Sequence, residues 1–251
     1  MSQDLVNSYE GGVGKVITQG MRINKTAAQT VLGTIRNLAV GRQIVYAKVG
    51  AAAISAATLC QAKAGVASFG ICPAGATASV GAKKVNLVVT AAITADQFQD
   101  GFLVVQCGAG EGYSYMVDYH LSAAATDLSL NVALKDGLEV ALTTLSICSL
   151  VENKCAAIIK VPAAGVTGSL VGVGLCTGSV NSFVWLGKKG PFLCINNTSA
   201  ITVGAVLCAG SAAGTVDMIF SAALTTNPVV GRSMQTAANG TSCRLLVDLD
   251  L

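Results

Sequence analysis

The stretch from residue 97 to residue 120, QFQDGFLVVQCGAGEGYSYMVDYH, constrains the fold of this chain more than any other. Residues 102–107 form an apolar run that is rich in β-branched and aromatic side chains. The glycine-rich residues 108–112 follow, and glycine supplies the positive φ angles of tight turns. Apolar and polar residues then alternate over 113–118, as on a strand with two different faces. The stretch therefore predicts a β-hairpin.

The glycines of residues 108–112 do not predict a nucleotide-binding loop. Dinucleotide-binding loops have the spacing G-x-G-x-x-G and open a helix whose N-terminal amides hold the phosphates. Here the spacing is G-x-G-x-G, an alternating strand follows, and no Lys-Ser or Lys-Thr pair comes after the glycines. We interpret the segment as the turn of the hairpin.

Short strand-like runs separated by glycine turns recur along the rest of the chain. They cover residues 43–48, 57–62, 85–90, 128–134, 156–161, 170–176, 182–186, 192–196, 203–209, 215–220, 228–232 and 243–249. We assign a turn to residues 187–191, and the pattern of residues 138–145 fits a helix or a strand. No alternation of strands with helices is visible. The chain is therefore predicted to be mainly β, with short antiparallel strands in β-sandwich or barrel modules.

The sequence predicts three segments: an extended N-terminal arm over 1–40, a β-rich domain over 41–161, and a second β-rich module over 162–251. In the alternative, the last two pack as one unit. Residues 1–50 hold six basic and two acidic residues, whereas the remainder holds ten basic and eleven acidic residues. An arm that is basic and broken by glycines is expected to become ordered mainly by contact with a partner. Its candidate binding residues are Lys15, Arg22, Lys25, Arg36 and Arg42.

Charge spacing and composition disfavour nucleic acid and membranes as partners and favour other protein subunits. Nucleic acid is disfavoured because the basic residues are spread singly and only Tyr9 offers a stacking ring near them. No apolar run reaches the length of a membrane span, and the polar first residues do not form a secretory signal. Only 12% of residues are charged and 52% are hydrophobic, which predicts a large surface buried against other subunits. We expect a homotrimer, with a dimer as the alternative.

No catalytic or metal-binding constellation is predicted. The nine cysteines have no C-x-x-C spacing and lie singly in apolar runs, so we expect reduced, mostly buried thiols. His120 is the single histidine, which disfavours a zinc site and leaves only one candidate for a catalytic base. We interpret His120 as structural and Trp185 as an anchor in the core or in an oligomer interface. The chain is predicted to be no enzyme and to need no cofactor.

Three stretches resemble one family of proteins. The first is GRQIVYAKVGAAA from Gly41, followed by ATLCQ from Ala57. The second is QFQDGFLVV from Gln97 with GEGYSYMV, and the third is WLGKKGP from Trp185 with the later motifs GAVL, GTV and VGR. The first resembles the opening strand pair of decoration (cement) proteins on the heads of tailed bacteriophages. The other two look like later modules of structural proteins from phages of marine or freshwater bacteria.

This resemblance implies a virion structural protein that is made in the host cytoplasm and sits on the capsid surface. Such proteins are β-rich and often trimeric, and they stabilise an icosahedral shell by clamping neighbouring major capsid subunits. The implied partners are therefore the major capsid protein and further copies of this chain. A head-fibre or tail-associated host-binding protein is the alternative. A β-helical glycan hydrolase ranks third, because it would need a pair of carboxylates that the sequence does not present.

Overall fold

The computed structural model describes residues 20–65, 69–124, 127, 129–197, 200–219, 228–237 and 244–251. The chain is nearly all β, with 44% strand and 2% helix. Its antiparallel sheets form a half-barrel and a nearly closed barrel, which confirms the predicted fold class. Residues 1–19, which include Lys15, lie outside the described residues.

The strands follow one another, with a short 3-10 turn, η1, at Ala39–Gly41 between the first two. They are β1 Ile35–Asn37, β2 Gln43–Lys48, β3 Leu59–Ala62, β4 Cys72–Pro73, β5 Lys84–Leu87, β6 Phe102–Cys107, β7 Ser114–His120, β8 Leu130–Leu134, β9 Ile147–Val151, β10 Ile158–Lys160, β11 Leu170–Gly174, β12 Phe183–Ile195, β13 Val206–Ala209, β14 Val216–Met218, β15 Val229–Ser233 and β16 Arg244–Asp250.

The described chain forms two compact units, and one is inserted into the sequence of the other. The first contains the chain up to Ala64 and again from Lys154, and the second covers Gly65–Asn153. The division differs from the predicted boundary between residues 161 and 162 because early and late strands share one sheet. Strand β2 pairs with β12, and β3 pairs with both β10 and β11. Pairing over such a sequence distance is not visible in local patterns.

The inserted unit is built on the predicted hairpin. Strands β6 and β7 pair with Phe102 opposite Met116, which confirms the hairpin, and the sheet order is β4-β9-β6-β7-β8-β5. The Gly75 amide donates to Asn86 O (2.9 Å) and the Val88 amide donates to Pro73 O (2.8 Å), so bonds also join the two outer strands. The enclosed core contains Val85, Leu87, Phe98, Leu103, Val117, Val132, Leu138, Leu142 and Leu150.

The turn between β6 and β7 depends on its glycines. Gly108, Gly110 and Gly112 all adopt φ angles between 83° and 85°. A Cβ on Gly108 would lie 2.8 Å from Leu145 O, and one on Gly110 would lie 2.9 Å from a methyl group of Leu142. Both the left-handed backbone and the close neighbours disfavour any side chain there. The interpretation of residues 108–112 as a hairpin turn is confirmed.

Strand β12 corrects the prediction of a turn at residues 187–191. It runs unbroken from Phe183 to Ile195, because β2 supplies partners for its first half and β16 for its second half. A register shift between Gly187 and Lys189 absorbs the irregularity. Gly187 is required for packing rather than for a turn, since a Cβ there would lie 2.6 Å from the Phe192 ring.

Residues 138–145 form neither the helix nor the strand that their pattern allowed. Leu138 and Leu142 are both buried in the barrel core. Their amides donate to Ala82 O (3.0 Å) and Ala78 O (2.9 Å), respectively. The apolar spacing therefore reflects two single anchors on an irregular segment.

The second half of the predicted arm is part of the ten-stranded sheet. Lys25 and Phe183 exchange two backbone hydrogen bonds of 3.0 and 2.7 Å. The Gln29 amide donates to Tyr46 Oη (3.0 Å), and the Gly33 amide donates to Tyr46 O (2.8 Å). Strand β1 then pairs antiparallel with β2. Residues 20–40 are thus joined to the chain's own sheet by backbone hydrogen bonds.

Candidate binding surfaces

The predicted arm residues differ in their exposure. Arg22 and Lys25 are exposed, whereas Arg42 is half-buried with its guanidinium 5.9 Å from the centre of the Phe192 ring. Arg36 is only 7% exposed, which differs from the predicted exposed cation. It lies opposite Ile44 in the β1–β2 ladder, and that position faces the core. Lys15 is outside the described residues.

The N-terminal flank, defined here as residues 20–48, is purely basic. It contains five Lys or Arg residues and no Asp or Glu. The acid-free stretch is longer still, because no acidic residue occurs between Glu10 and Asp96. These cations therefore have no carboxylate close in sequence. The flank is therefore suited to a partner that carries negative charge.

Exposed branched side chains accompany these cations. Ile23, Val31, Ile35 and Val40 are 52%, 55%, 45% and 86% exposed, respectively. Val40 lies in η1, between β1 and β2, with φ 62° and ψ 35°. The left-handed region costs an L-residue about 1–2 kcal/mol, and it is least favourable for a β-branched side chain. Sequence reasoning missed Val40 as a surface residue because its apolar character alone predicts burial.

Strand β1 is an open edge. The Leu38 amide donates to Arg42 O (2.7 Å) and the Tyr46 amide donates to Thr34 O (2.9 Å), so positions 34, 36 and 38 face β2 with their backbone groups. The N–H and C=O groups of Ile35 and Asn37 consequently point away from β2. In the part of the chain that the structure describes, no strand pairs with that side of β1.

A second apolar surface lies on the barrel. Phe102 is opposite both Met116 on β7 and Val151 on β9, so the three form one row across three strands. They are 42%, 37% and 47% exposed. Tyr119, further along β7, is 45% exposed. This barrel row is an exposed apolar surface that carries two aromatic rings, on strands rather than on loops.

A groove on the ten-stranded sheet carries charges of both signs. Its cavity of about 340 Å³ is lined by Lys189, Arg232, Asp248 and Asp250, with Val206 and Val229 among its apolar neighbours. Lys189 Nζ lies 3.3 Å from Asp250 Oδ1, and both side chains are more than half exposed. Two cations and two carboxylates offset one another, so the groove has no marked preference for an ion of either sign.

His120 is engaged on both ring nitrogens. Its side chain is buried, and Nε2 accepts a hydrogen bond of 3.0 Å from the Phe98 amide. Nε2 is therefore unprotonated, and the Nδ1 proton is donated to Leu121 O at 2.9 Å. The ring fastens the segment before β6 to the end of β7. This geometry fits the structural role predicted for His120.

Trp185 lies in the core of the ten-stranded sheet. It is fully buried, and its ring centre is 4.9 Å from that of Tyr46. Of the two interpretations made from sequence, the structure places it in the core of its own subunit rather than on an exposed interface. Its indole Nε1 has no hydrogen-bond partner among the described residues.

The described cysteines are free thiols, and seven of the eight are buried. Cys72 and Cys148 are directly opposite each other on β4 and β9, without a disulfide. Burial raises the pKa of the thiols of Cys60 and Cys194 to about 12, and of Cys148 and Cys155 to about 11. These thiols are protonated at neutral pH and are poor nucleophiles.

We expect Cys107 to react first with a thiol reagent, because it is the exposed member of this set. Iodoacetamide, added to the native protein without reductant, should modify Cys107 within minutes. It should modify the seven buried thiols only after denaturant is added. Peptide mass spectrometry identifies each modified site. Rapid native modification of Cys60 or Cys194 would contradict the burial described here.

No family model, curated protein or solved structure matches this chain. Within the described residues no group of three or more His, Cys, Asp or Glu side chains could hold a metal ion. Among the same residues, no helix has the length and apolar character needed to span a bilayer.

Proposed function

We propose that the protein is a virion structural protein that decorates the outside of an icosahedral phage capsid and clamps neighbouring major capsid subunits. The observation that carries this proposal is the N-terminal flank. It combines a sequence of five basic residues and no acidic residue, of which Arg22 and Lys25 are exposed, with four exposed branched side chains. A surface of that kind is suited to lasting attachment to another protein.

Further support comes from the architecture and the sequence resemblance. The regular secondary structure is almost entirely antiparallel β, as expected of the decoration proteins that the three sequence stretches resemble. The low charged fraction, 12%, favours a homotrimer in which subunits cover one another's apolar surface. Several copies of the basic flank in one oligomer would then bind a shell multivalently.

A host-binding protein of the head fibre or tail is the second candidate, and the barrel row favours it. Phe102 and Tyr119 are exposed aromatic side chains on a regular β surface. Aromatic rings of this kind provide rigid contact area for recognition. The two candidates differ in where the protein sits on the particle.

Location on the virion tests the proposal. Purified virions would be labelled with gold-conjugated antibodies against the recombinant chain and imaged by electron microscopy. We expect label distributed over the whole head, and binding of the recombinant chain to heads that lack it. Label confined to fibres or to the tail would overturn the capsid proposal in favour of the second candidate. Absence of label from intact virions would contradict both.

A further inference from the structure

We propose that the open edge of β1 accepts an acidic, extended segment of the partner as an added strand. This inference rests on the proposed function, in which the partner is a major capsid subunit. Ile35 and Asn37 each direct one N–H and one C=O group away from β2. Such groups are a ready template for a further strand, and main-chain hydrogen bonds supply much of the affinity in this mode of binding.

Other strands at the margins of the sheets are already bonded on their outer sides. In β10, Ile158 O accepts a hydrogen bond from the Gly50 amide (2.8 Å). In β14, Val216 O accepts one from the Asn197 amide (3.2 Å). The outer strands of the barrel, β4 and β5, are joined to each other. Strand β1 contains no lysine or proline, and no bulge interrupts its pairing with β2, so its short length and its inward-facing Arg36 are the protective features that it has.

Charge selects the occupant of this edge. A second copy of the chain that paired β1 with β1 would bring together two edges that each adjoin Arg42, within a flank whose sequence contains no carboxylate. Like charges across such a contact repel, whereas a strand rich in Asp or Glu is attracted. The charges therefore favour a different, acidic chain over self-association at β1.

Val40 gives this edge an apolar end. It lies at the tip of the β1–β2 connection, is 86% exposed and retains an unfavourable backbone conformation. Gly41 beside it has φ 70° and no atom within 4 Å of a Cβ position. Strain that persists where the chain gains no packing points to use by a partner. An added strand on β1 would bring an apolar side chain of the partner beside Val40 and Ile35.

The first test removes one outward N–H group. Asn37→Pro deletes the donor without loss of a β1–β2 ladder bond, because edge positions with an outward N–H tolerate proline. Asn37→Thr is the matched control: it also loses the hydrogen bond of 3.0 Å from Gln43 Nε2 to Asn37 Oδ1 but keeps the N–H. With capsids that lack the protein, we expect co-sedimentation affinity to fall at least tenfold for Asn37→Pro and less than threefold for Asn37→Thr.

The second test addresses charge at the same edge and does not disturb the backbone. Ile35→Asp adds a carboxylate beside the proposed acidic strand, and Ile35→Asn has the same shape without the charge. We expect Ile35→Asp to bind capsids at least fivefold more weakly than Ile35→Asn at low salt, with the difference shrinking at high salt. Equal binding of the two variants would overturn the acidic character of the occupant.

Amide hydrogen exchange gives a readout that does not depend on variants. The amides of Ile35 and Asn37 should exchange quickly in the free protein and should become protected when the protein binds capsids. If the parent chain binds capsids while exchange in β1 and binding of Asn37→Pro are unchanged, strand addition is overturned and the proposed function stands. If the parent chain does not bind capsids at all, the proposed function fails and this inference fails with it.

Discussion

Raising the pH from 7 to 10 in the presence of a reductant is expected to lower the free energy of unfolding by at least about 3 kcal/mol. The cause is the burial of cysteine thiols. Burial raises the pKa of Cys60 and of Cys194 from the ordinary value of 9.0 to about 12. Between pH 9 and 12 the unfolded chain therefore releases protons that the folded chain retains, and stability falls as pH rises. One pKa unit corresponds to about 1.4 kcal/mol, so each of the two thiols contributes about that amount at pH 10.

Cys148 and Cys155, with pKa values raised to about 11, act in the same direction. Below about pH 8 none of these thiols should affect the pH dependence, because they are protonated in both states. The measurement is urea denaturation at pH 7, 8, 9 and 10, followed by circular dichroism. The control is the double variant Cys60→Ala with Cys194→Ala. It should be less stable at pH 7, but its loss between pH 7 and pH 10 should be smaller by about 3 kcal/mol. An equal loss in both proteins would contradict the assignment to these thiols.

Trp185→Ala is expected to destabilise the protein by about 3–5 kcal/mol. Deletion of a fully buried indole removes its apolar contacts and leaves a cavity that the surrounding strands fill only in part. The cavity would open beside Tyr46, whose ring centre lies 4.9 Å from that of the indole. Stability is measured by chemical denaturation at pH 7 with circular dichroism, since the substitution removes the single tryptophan fluorophore of the chain.

Trp185→Phe is the matched variant and should cost about 1 kcal/mol or less. It keeps an aromatic ring in the site, and it removes an indole N–H that has no hydrogen-bond partner among the described residues. A buried donor without a partner costs about 1–3 kcal/mol, so its loss offsets part of the lost volume. If Trp185→Phe cost as much as Trp185→Ala, the conclusion that the indole N–H lacks a hydrogen-bond partner would be wrong.

Local patterns predicted the strands well because a strand's side-chain alternation is a property of neighbouring residues. Strands β2 and β6 have the bounds 43–48 and 102–107 that their sequences indicate. The hairpin turn followed from its glycines for the same reason. Pairing between distant strands left no such trace. The pairing of β2 with β12, and hence the insertion of the barrel, depends on contacts between residues more than a hundred positions apart in the sequence.

The candidate surface was only partly predictable. The basic excess of the first fifth of the chain is visible in its residue count, and it predicted a binding arm over residues 1–40. Whether a given cation faces solvent depends on the pairing of β1, which buried Arg36 and left Arg42 half-covered. Whether β1 has an open edge depends on which strands lie beside it in the folded sheet. The strain at Val40 is visible only in its backbone angles. Neither can be read from residue types.

The insertion of the barrel has a consequence for the order of events during synthesis. Residues 65–153 are contiguous, so their strands can pair as soon as they leave the ribosome. Strand β2 ends at Lys48 and its partner β12 begins at Phe183, 135 residues later. At about 5–20 residues per second, β2 waits roughly 7–27 s for that partner. Its segment Ile44–Ala47, buried at all four positions in the finished fold, stays uncovered by β12 throughout that interval. A strand that is buried at four positions in the finished fold is thus among those that wait longest, and its apolar face is open to non-native contacts during that interval.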